Sequence, residues 1–280
     1  MNVTSKVDRP DEKSRIDGAE VDFLLVIPCY YESKRLPSFL EKLKQALYLA
    51  PFTTHILVVD DGSSVLEQER LLTLVKQENY GQVTLLTPEL LPENTGKGGA
   101  ILHGWRQAHP ARWRAFVDAD GAVSPMEILI VLTDIHTSPN PKEAYFAVRK
   151  PDLAYQVHRT LLRWISGKVF GMLAKMILNS EISDSQCGFK VISTNVFKKI
   201  DHHLQGFGFC FDLELLVILR LAKIKVKEVQ VNWSEQPGGH LNLFRHGFEM
   251  IANLFRIRNS ARIKSVEVCG DIKSHPLIAL

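Results

Sequence analysis

Short apolar runs alternate with helical hydrophobic spacing along the first half of the chain. The runs lie at 23–27, 55–59, 83–87, 115–117 and 145–148. Between them, apolar residues recur every three or four positions, as one face of a helix requires, over 36–47, 66–76, 97–108 and 126–137. Parallel strands joined by crossover helices produce this alternation. The pattern therefore predicts an α/β fold, a mostly parallel sheet flanked by helices.

The second half has a different texture but no separating linker. It contains a long semi-apolar stretch at 155–178, a predicted helix over 211–222 and a predicted strand over 226–231. We expect one domain over 21–258, with a C-terminal elaboration on the same sheet and a tail at 259–280. The first twenty residues carry nine charges and no apolar block, so we expect a disordered arm at 1–20. No apolar run reaches the length of a membrane span.

Composition narrows the function classes. The 280 residues are 45% hydrophobic with a net charge of +3, which suits a globular domain and argues against a nucleic acid partner. The four cysteines are far apart and lack metal-finger spacing, so neither a zinc site nor a disulfide framework is indicated. A reducing, cytoplasmic compartment is the expectation.

Four consecutive predicted strands end in polar or glycine-rich turns. The turns lie at residues 28–32, 60–63, 94–99 and 118–121. Ligands of open α/β sheets bind beyond the carboxyl ends of the strands. Although Asp-Gly turns and helix caps are common, four such turns on one rim predict a binding site there.

Two of the turns indicate particular chemistry. Asp118 and Asp120 leave a strand two residues apart and suit a divalent cation, Mg²⁺ or Mn²⁺, that keeps positions open for phosphates; an Asp-rich helix cap is the alternative. The 96–99 loop lacks the pattern of a P-loop and of a dinucleotide fingerprint, because position 91 is Leu and position 101 is Ile. A glycine-rich helix start beside Lys97 remains, and it is a candidate anion site.

Together these motifs resemble the family 2 glycosyltransferases with the GT-A fold. The resemblance runs from about Asp22 to Arg258 and is closest to the branch that transfers a sugar onto a polyprenyl phosphate, the dolichyl-phosphate β-glucosyltransferases in particular. The cues are Pro28-x-Tyr30-x-Glu32, Asp60-Asp61-Gly62-Ser63, Asn94-x-Gly96-Lys97-Gly98, Asp118-x-Asp120-Gly121-Ala122, Asp184-x-Gln186-Cys187-Gly188-Phe189-Lys190, Phe211-Asp212-x-Glu214 and Val231-Asn232-Trp233.

The resemblance implies a role for each matching residue. Residues 21–150 would form the nucleotide-sugar half and 151–258 the acceptor half. Pro28, Tyr30 and Glu32 would border the nucleoside of a UDP-sugar. Asp61 would accept a hydrogen bond from the uracil, Lys97 would lie near the donor, and Asp118 and Asp120 would hold the metal. Ala122 stands where the mannosyl branch often has Gln, which favours the glucosyl branch or looser metal binding.

The acceptor decides which further residues are needed. A sugar hydroxyl must lose a proton, so Asp184 or Asp212 would act as base. A lipid phosphate is already anionic and needs cations instead, for which Arg149, Arg159 and Arg163 are candidates; a solvated helix face is the alternative for the last two.

We thus expect an inverting, metal-dependent transfer of a hexose, glucose above all, from a UDP-sugar to a polyprenyl phosphate. The alternatives are a soluble enzyme acting on a small hydroxylated acceptor, and a catalytically silent nucleotide-sugar-binding module. Two stretches combine apolar and basic residues, and they predict either peripheral contact with the cytoplasmic face of a membrane or packing on the sheet. They are 155–178 and the stripe of Phe244, Phe248, Ile251 and Phe255. Trp233 and Gly238-Gly239 would form an acceptor loop.

Overall fold

A computed structural model describes residues 20–107, 109–149, 187–234 and 249–260. One mixed sheet of nine strands runs through these residues, in the order β3-β4-β2-β1-β6-β8-β7-β9, with β5 beside β2. The strands are β1 (Val21–Cys29), β2 (Thr54–Asp60), β3 (Glu78–Tyr80), β4 (Val83–Leu85), β5 (Glu89–Leu90), β6 (Ala111–Val117), β7 (Ala144–Arg149), β8 (Phe189–Ser193) and β9 (Val226–Val231).

Helices connect the strands and cover both faces of the sheet. They are α1 (Leu36–Leu47), α2 (Val65–Leu74), α3 (Lys97–Arg106), α4 (Pro125–Thr137), α5 (Thr194–Ile200), α6 (Phe211–Leu221) and α7 (249–260). Local chemistry sets several of their starts. Ser124 caps α4 by accepting from the Glu127 N–H at 3.3 Å, with Pro125 behind it, and Ser193 caps α5 in the same way.

The predicted strands and helices are confirmed, with shifted ends. The third predicted strand ends at Leu85 instead of 87, and the fourth begins four residues earlier, at Ala111. The helix predicted over 97–108 ends at Arg106. Strands β3, β5 and β8 and helix α5 were not predicted. The stretch at 155–178 lies outside the described residues, as do the arm before residue 20 and the tail after 260.

The antiparallel strand β8 changes the topology most. It lies between β6 and β7 and runs opposite to both, with Phe116 opposite Lys190 and Tyr145 opposite Val191. The β1, β2, β4 and β6 strands are mutually parallel, so their carboxyl ends share one edge. The amino end of β8 lies at that edge, which brings residues 187–190 beside the end of β6.

The core has two layers, one on each side of the sheet. Phe23, Leu25 and Ile27 of β1 pack with α1 and α4, whereas Leu24 and Val26 pack with α3 and α6 on the other side. Burial on both faces explains why the strands are continuous apolar runs. The side chains of the central strands β1, β2 and β6 are mostly covered, so the ends of these strands remain as the place for polar chemistry.

Helix α7 packs on α6 through one face only. Met250, Leu254 and Ile257 contact a cluster that includes Leu213 and Val217. Ile251 and Phe255 are exposed, at 38% and 48%. These two residues do not pack on the sheet; the other members of the predicted stripe, Phe244 and Phe248, lie outside the described residues.

Candidate active site

Asp118 and Asp120 lie directly after β6, at the predicted edge of the sheet. The Asp118 N–H donates to the Gly188 carbonyl at 2.9 Å, and Asp120 Oδ1 accepts from the Ala122 N–H at 2.9 Å. Gly188 packs so tightly against Asp118 that a Cβ there would lie 1.9 Å from Asp118 Oδ2. The amino end of β8 therefore forms a wall that fixes the Asp118 carboxylate.

Lys97 links the strand end to helix α6. Its Nζ lies 2.8 Å from Asp118 Oδ1 and 3.2 Å from Asp212 Oδ2. The other Asp212 oxygen lies 2.6 Å from Nζ of Lys190, which also donates to the Cys187 carbonyl. The ring of Phe116 lies beneath both ammonium groups, 5.1 Å from Lys97 Nζ and 5.8 Å from Lys190 Nζ. We call this alternating row of Asp118, Lys97, Asp212 and Lys190 the ion-pair row.

The row sets the ionisation of its members. Burial raises the pKa of Asp212, but Lys190 and Lys97 outweigh it and hold the pKa below its usual value. For Asp118, burial is the largest effect and its pKa is raised, although Lys97 opposes this. Burial lowers the pKa of Lys97, and the two carboxylates overcome that effect and raise it. Asp212 is therefore an ionised carboxylate with an ammonium on each oxygen, which makes it a poor proton acceptor.

Asp61 fixes the loop that precedes α3. Its Oδ1 accepts from the Thr95 N–H at 2.8 Å and from the Thr95 hydroxyl at 2.9 Å. The Asn94 side chain donates to the backbone carbonyl of Asp61 at 3.0 Å. Asp61 is almost completely buried, and this burial raises its pKa against the effect of the Thr95 bonds. Contact of Asp61 with a nucleobase stays a prediction.

Two tyrosines stand at the mouth of the site, after Pro28 near the end of β1. Tyr30 and Tyr31 are exposed and pack edge to face with ring centroids 4.7 Å apart. Tyr31 has φ +55°, held by bonds from its N–H to Ser63 Oγ and from the Ser64 N–H to its hydroxyl. Glu32 pairs with the Arg35 guanidinium. These residues form a wall suited to a planar ring.

The 205–210 loop closes the site over the start of α3. Glu214 accepts from the backbone N–H groups of Gln205, Gly206 and Phe207 at 2.7, 2.9 and 3.1 Å. A Cβ on Gly96 would lie 2.9 Å from Gly208 Cα, and one on Gly98 would lie 2.9 Å from the Gly206 carbonyl carbon. The glycines predicted to form an anion site thus also admit this loop at backbone contact. Glu214 was not predicted as a site residue, although it belongs to the Phe211-Asp212-x-Glu214 motif.

Arg149 ends β7 at the same edge as the end of β6. Its guanidinium lies 5.1 Å from the ring centroid of Trp233, and Trp233 bridges to Val123 just after Asp120. The Ser234 N–H donates to the Ala122 carbonyl at 2.9 Å. The structure thus brings Arg149 and Trp233 to the 118–122 turn. Asp184, Arg159, Arg163 and Gly238-Gly239 lie outside the described residues.

The donor set fits a hard divalent cation that shares its coordination with a ligand. No three His, Cys, Asp or Glu side chains converge as a metal site within the described ranges. Asp118 and Asp120 alone match the pattern of Mg²⁺, which takes one or two carboxylates together with phosphates and water. Because Gly188 has no Cβ, the Asp118 carboxylate has room to lie at this turn.

Comparison with known proteins decides the family. The family model described as "Glycosyl transferase family 2" matches residues 24–201, which is more than half of the chain. The chain belongs to glycosyl transferase family 2. It is therefore a glycosyltransferase, and the sequence-based expectation is confirmed on this point.

Curated relatives of this family 2 enzyme carry one recurring name. A dolichyl-phosphate beta-glucosyltransferase of Trichomonas vaginalis is 35% identical over 243 residues, covering 82% of this chain and 71% of that protein. The dolichyl-phosphate beta-glucosyltransferase of Homo sapiens is 32% identical over 259 residues, covering 86% of this chain and 76% of that protein.

Solved structures confirm the GT-A fold of this family 2 enzyme. Glucosyl-3-phosphoglycerate synthase from Mycobacterium tuberculosis in complex with uridine-diphosphate gives a TM-score of 0.56 at 14% identity, covering 91% of this chain and 86% of that chain. A complex of that synthase with Mg²⁺ and uridine-diphosphate also gives 0.56, at 14% identity, covering 89% of this chain and 84% of that chain. At this identity the likeness shows the fold.

Substitution of Gly188 by Ala tests the wall behind Asp118. The added Cβ overpacks the site and displaces the carboxylate, so we expect glycosyl transfer to fall by about 100-fold. The free energy of unfolding should fall by only about 1–3 kcal/mol. Steady-state transfer rates and urea denaturation measure the two effects.

Gly104→Ala is the matched control for that substitution. Its Cβ would meet Val26 and Val59 side chains in the core, away from Asp118, so it overpacks the protein without touching the site. We expect a similar loss of stability and a transfer rate close to that of the wild type. Equal transfer rates in the two variants would contradict the role given to Gly188.

Proposed function

We propose that this enzyme transfers glucose, or a similar hexose, from a UDP-sugar to a polyprenyl phosphate with inversion at the anomeric carbon. The observation that supports a phosphate acceptor is the ionised, doubly paired carboxylate of Asp212. Both of its oxygens are held by ammonium groups and its pKa is lowered, so this buried carboxylate is not free to take a proton. An anionic phosphate is the acceptor that needs no base. The names of the curated relatives support the same acceptor.

The nucleotide half of the proposed site lies over residues 21–150. Tyr30 and Tyr31 present exposed rings at the end of β1, and Glu32 and Asp61 lie beside them on the rim of the sheet. In this proposal the uridine lies against the tyrosines and its diphosphate extends toward Lys97. The start of α3, where no N-cap side chain bonds the helix and Lys97 is the first residue, is electrostatically suited to the diphosphate.

Asp118 and Asp120 would hold Mg²⁺ or Mn²⁺ on that diphosphate. The cation, when bound, would neutralise the negative charge that develops on the leaving UDP. The turn supports this assignment because the Ala122 N–H orients Asp120 and Gly188 backs Asp118. The solved relatives that contain Mg²⁺ or Mn²⁺ with uridine-diphosphate share this fold.

The proposed transfer is a single displacement. An oxygen of the acceptor phosphate forms a bond to the anomeric carbon, while the bond from that carbon to the β-phosphate oxygen of the UDP-sugar breaks. The electron pair leaves with UDP, and no proton has to move. Arg149, held over Trp233 next to the 118–122 turn, is the described cation best placed to receive the acceptor phosphate. Arg159 and Arg163 remain candidates for the same role.

Helix α7 supplies the proposed contact with the membrane that holds such an acceptor. Ile251 and Phe255 lie one helical turn apart on its exposed face, and Arg256 is exposed beside them. Apolar side chains next to cationic ones suit the surface of an anionic bilayer. Within the described residues, no helix combines the length and the apolar character that crossing a membrane requires. We therefore propose peripheral contact through α7, with 151–258 as the acceptor half.

The function is tested with a panel of UDP-sugars and a short-chain polyprenyl phosphate, measuring UDP release and the lipid product. We expect a glucosyl-lipid with inverted configuration that forms only with Mg²⁺ or Mn²⁺. Asp120→Ala should lower the rate by about 100-fold or more. Asp134→Ala, which removes a carboxylate at the exposed Lys227 pair, should leave the rate unchanged.

Two results of that assay would contradict the proposal. Transfer to a small hydroxylated acceptor but not to the lipid phosphate would assign the soluble alternative, and Asp184 would then be the remaining candidate base. Binding of UDP-sugars with no turnover on any acceptor would favour the silent binding module.

Flotation with anionic liposomes tests the α7 surface. The double substitution Ile251→Ser and Phe255→Ser removes apolar area that would enter the bilayer, so the bound fraction should correspond to an affinity at least about tenfold weaker. The matched control is Met126→Ser with Ile130→Ser, an exposed pair of the same spacing on α4. Equal flotation of both double variants would contradict a membrane contact through α7.

A further inference from the structure

The ammonium of Lys97 lies where the cation site and helix α6 meet. It contacts one oxygen of Asp118 and one oxygen of Asp212, at 2.8 and 3.2 Å. Asp118 would hold the divalent cation in the proposed function. A divalent cation and an ammonium bound to the same carboxylate repel each other. Lys97 therefore competes with the cation for Asp118 whenever no anion is present to separate them.

The two carboxylates that share Lys97 differ in their surroundings. The Asp212 side chain is 3% exposed and has a second ammonium, Lys190, at 2.6 Å. The Asp118 side chain is 35% exposed, and Lys97 is the cationic partner that the described residues give it. The contact with Asp118 is therefore the one that opens to solvent, whereas the contact with Asp212 is enclosed. Lys97 thus has one enclosed partner, Asp212, and one solvent-exposed partner, Asp118.

The charge balance of the row also disfavours a divalent cation that binds without an anion. Asp118 and Asp212 carry two negative charges and Lys97 and Lys190 two positive charges, so the row is neutral as it stands. A divalent cation alone would leave it with a net positive charge. A cation that arrives with a nucleoside diphosphate brings compensating negative charge, and the diphosphate oxygens offer Lys97 a new partner.

From this geometry we infer that Lys97 occupies the cation position at Asp118 until a nucleoside diphosphate arrives, and that it is a positioning residue that couples cation binding to diphosphate binding. In the free enzyme it blocks the binding of a bare divalent cation. With the diphosphate present, its ammonium leaves Asp118, keeps Asp212 and contacts the phosphate oxygens. The inference rests on the proposed function for the identity of the diphosphate and of the cation.

The experiment measures Mn²⁺ binding to the protein without nucleotide, from the loss of the electron paramagnetic resonance signal of free Mn²⁺. Lys97→Met removes the competing ammonium while keeping the length of the side chain, so we expect Mn²⁺ to bind at least about fivefold more tightly than to the wild type. Lys42→Met removes a charge from an exposed position of α1 and should leave the affinity unchanged. Lys97→Gln is the second variant, used if the Met variant fails to fold by circular dichroism.

UDP supplies the second half of the test. In the wild type, saturating UDP should tighten Mn²⁺ binding, and in Lys97→Met this tightening should be smaller, because binding of the two ligands is thermodynamically linked. Mn²⁺ binding to Lys97→Met that is less than about fivefold tighter, unchanged or weaker would overturn the inference. So would an absence of Mn²⁺ binding in both proteins.

The result is independent of the lipid acceptor and of sugar transfer. If Lys97→Met tightens Mn²⁺ binding but the wild type transfers no sugar to a polyprenyl phosphate, the proposed function fails and the role of Lys97 stands. If transfer occurs but the affinity for Mn²⁺ does not change, the role of Lys97 fails alone.

Discussion

The ion pair between Lys97 and Asp212 is the contact on which the arrangement of the site depends. It joins the first residue of α3 to the start of α6, two helices that meet across one face of the sheet. Lys190 completes the pairing of Asp212 from β8, so three elements far apart in sequence converge on one buried carboxylate. Removing one member would leave an uncompensated charge in a closed space, which costs far more than an exposed pair.

The fold produces this convergence through the strand that runs against the others. Parallel strands β1, β2 and β6 place Tyr30, Asp61 and Asp118 at one edge. The antiparallel strand β8 begins at the same edge, and its amino end places Gly188 against Asp118 and Lys190 against Asp212. Helix α6 closes the arrangement, because Glu214 holds the 205–207 backbone over α3. Parallel strands alone would supply the rim but not its inner wall.

The sequence predicted the parallel strands, most helix bounds and the position of the rim, because these follow from local hydrophobic spacing and from residues at strand ends. The β8 strand escaped prediction, because a lysine in a five-residue strand looks like a solvent-facing position. Lys190 is nevertheless completely buried, and that burial depends on Asp212, which lies 22 residues later in the sequence. For a hydroxyl acceptor, Asp184 or Asp212 was predicted as the base from its residue type. The ionisation of Asp212 depends on two lysines from other elements, which no local pattern records.

The most direct test of this account is a crystal structure with Mn²⁺ and UDP bound. We expect the cation on Asp118 and Asp120, with Lys97 Nζ beyond about 4 Å from the Asp118 oxygens. In the same structure Lys97 should stay within about 3 Å of Asp212 or of a diphosphate oxygen. A structure in which the cation binds elsewhere while Lys97 keeps its contact with Asp118 would contradict the account.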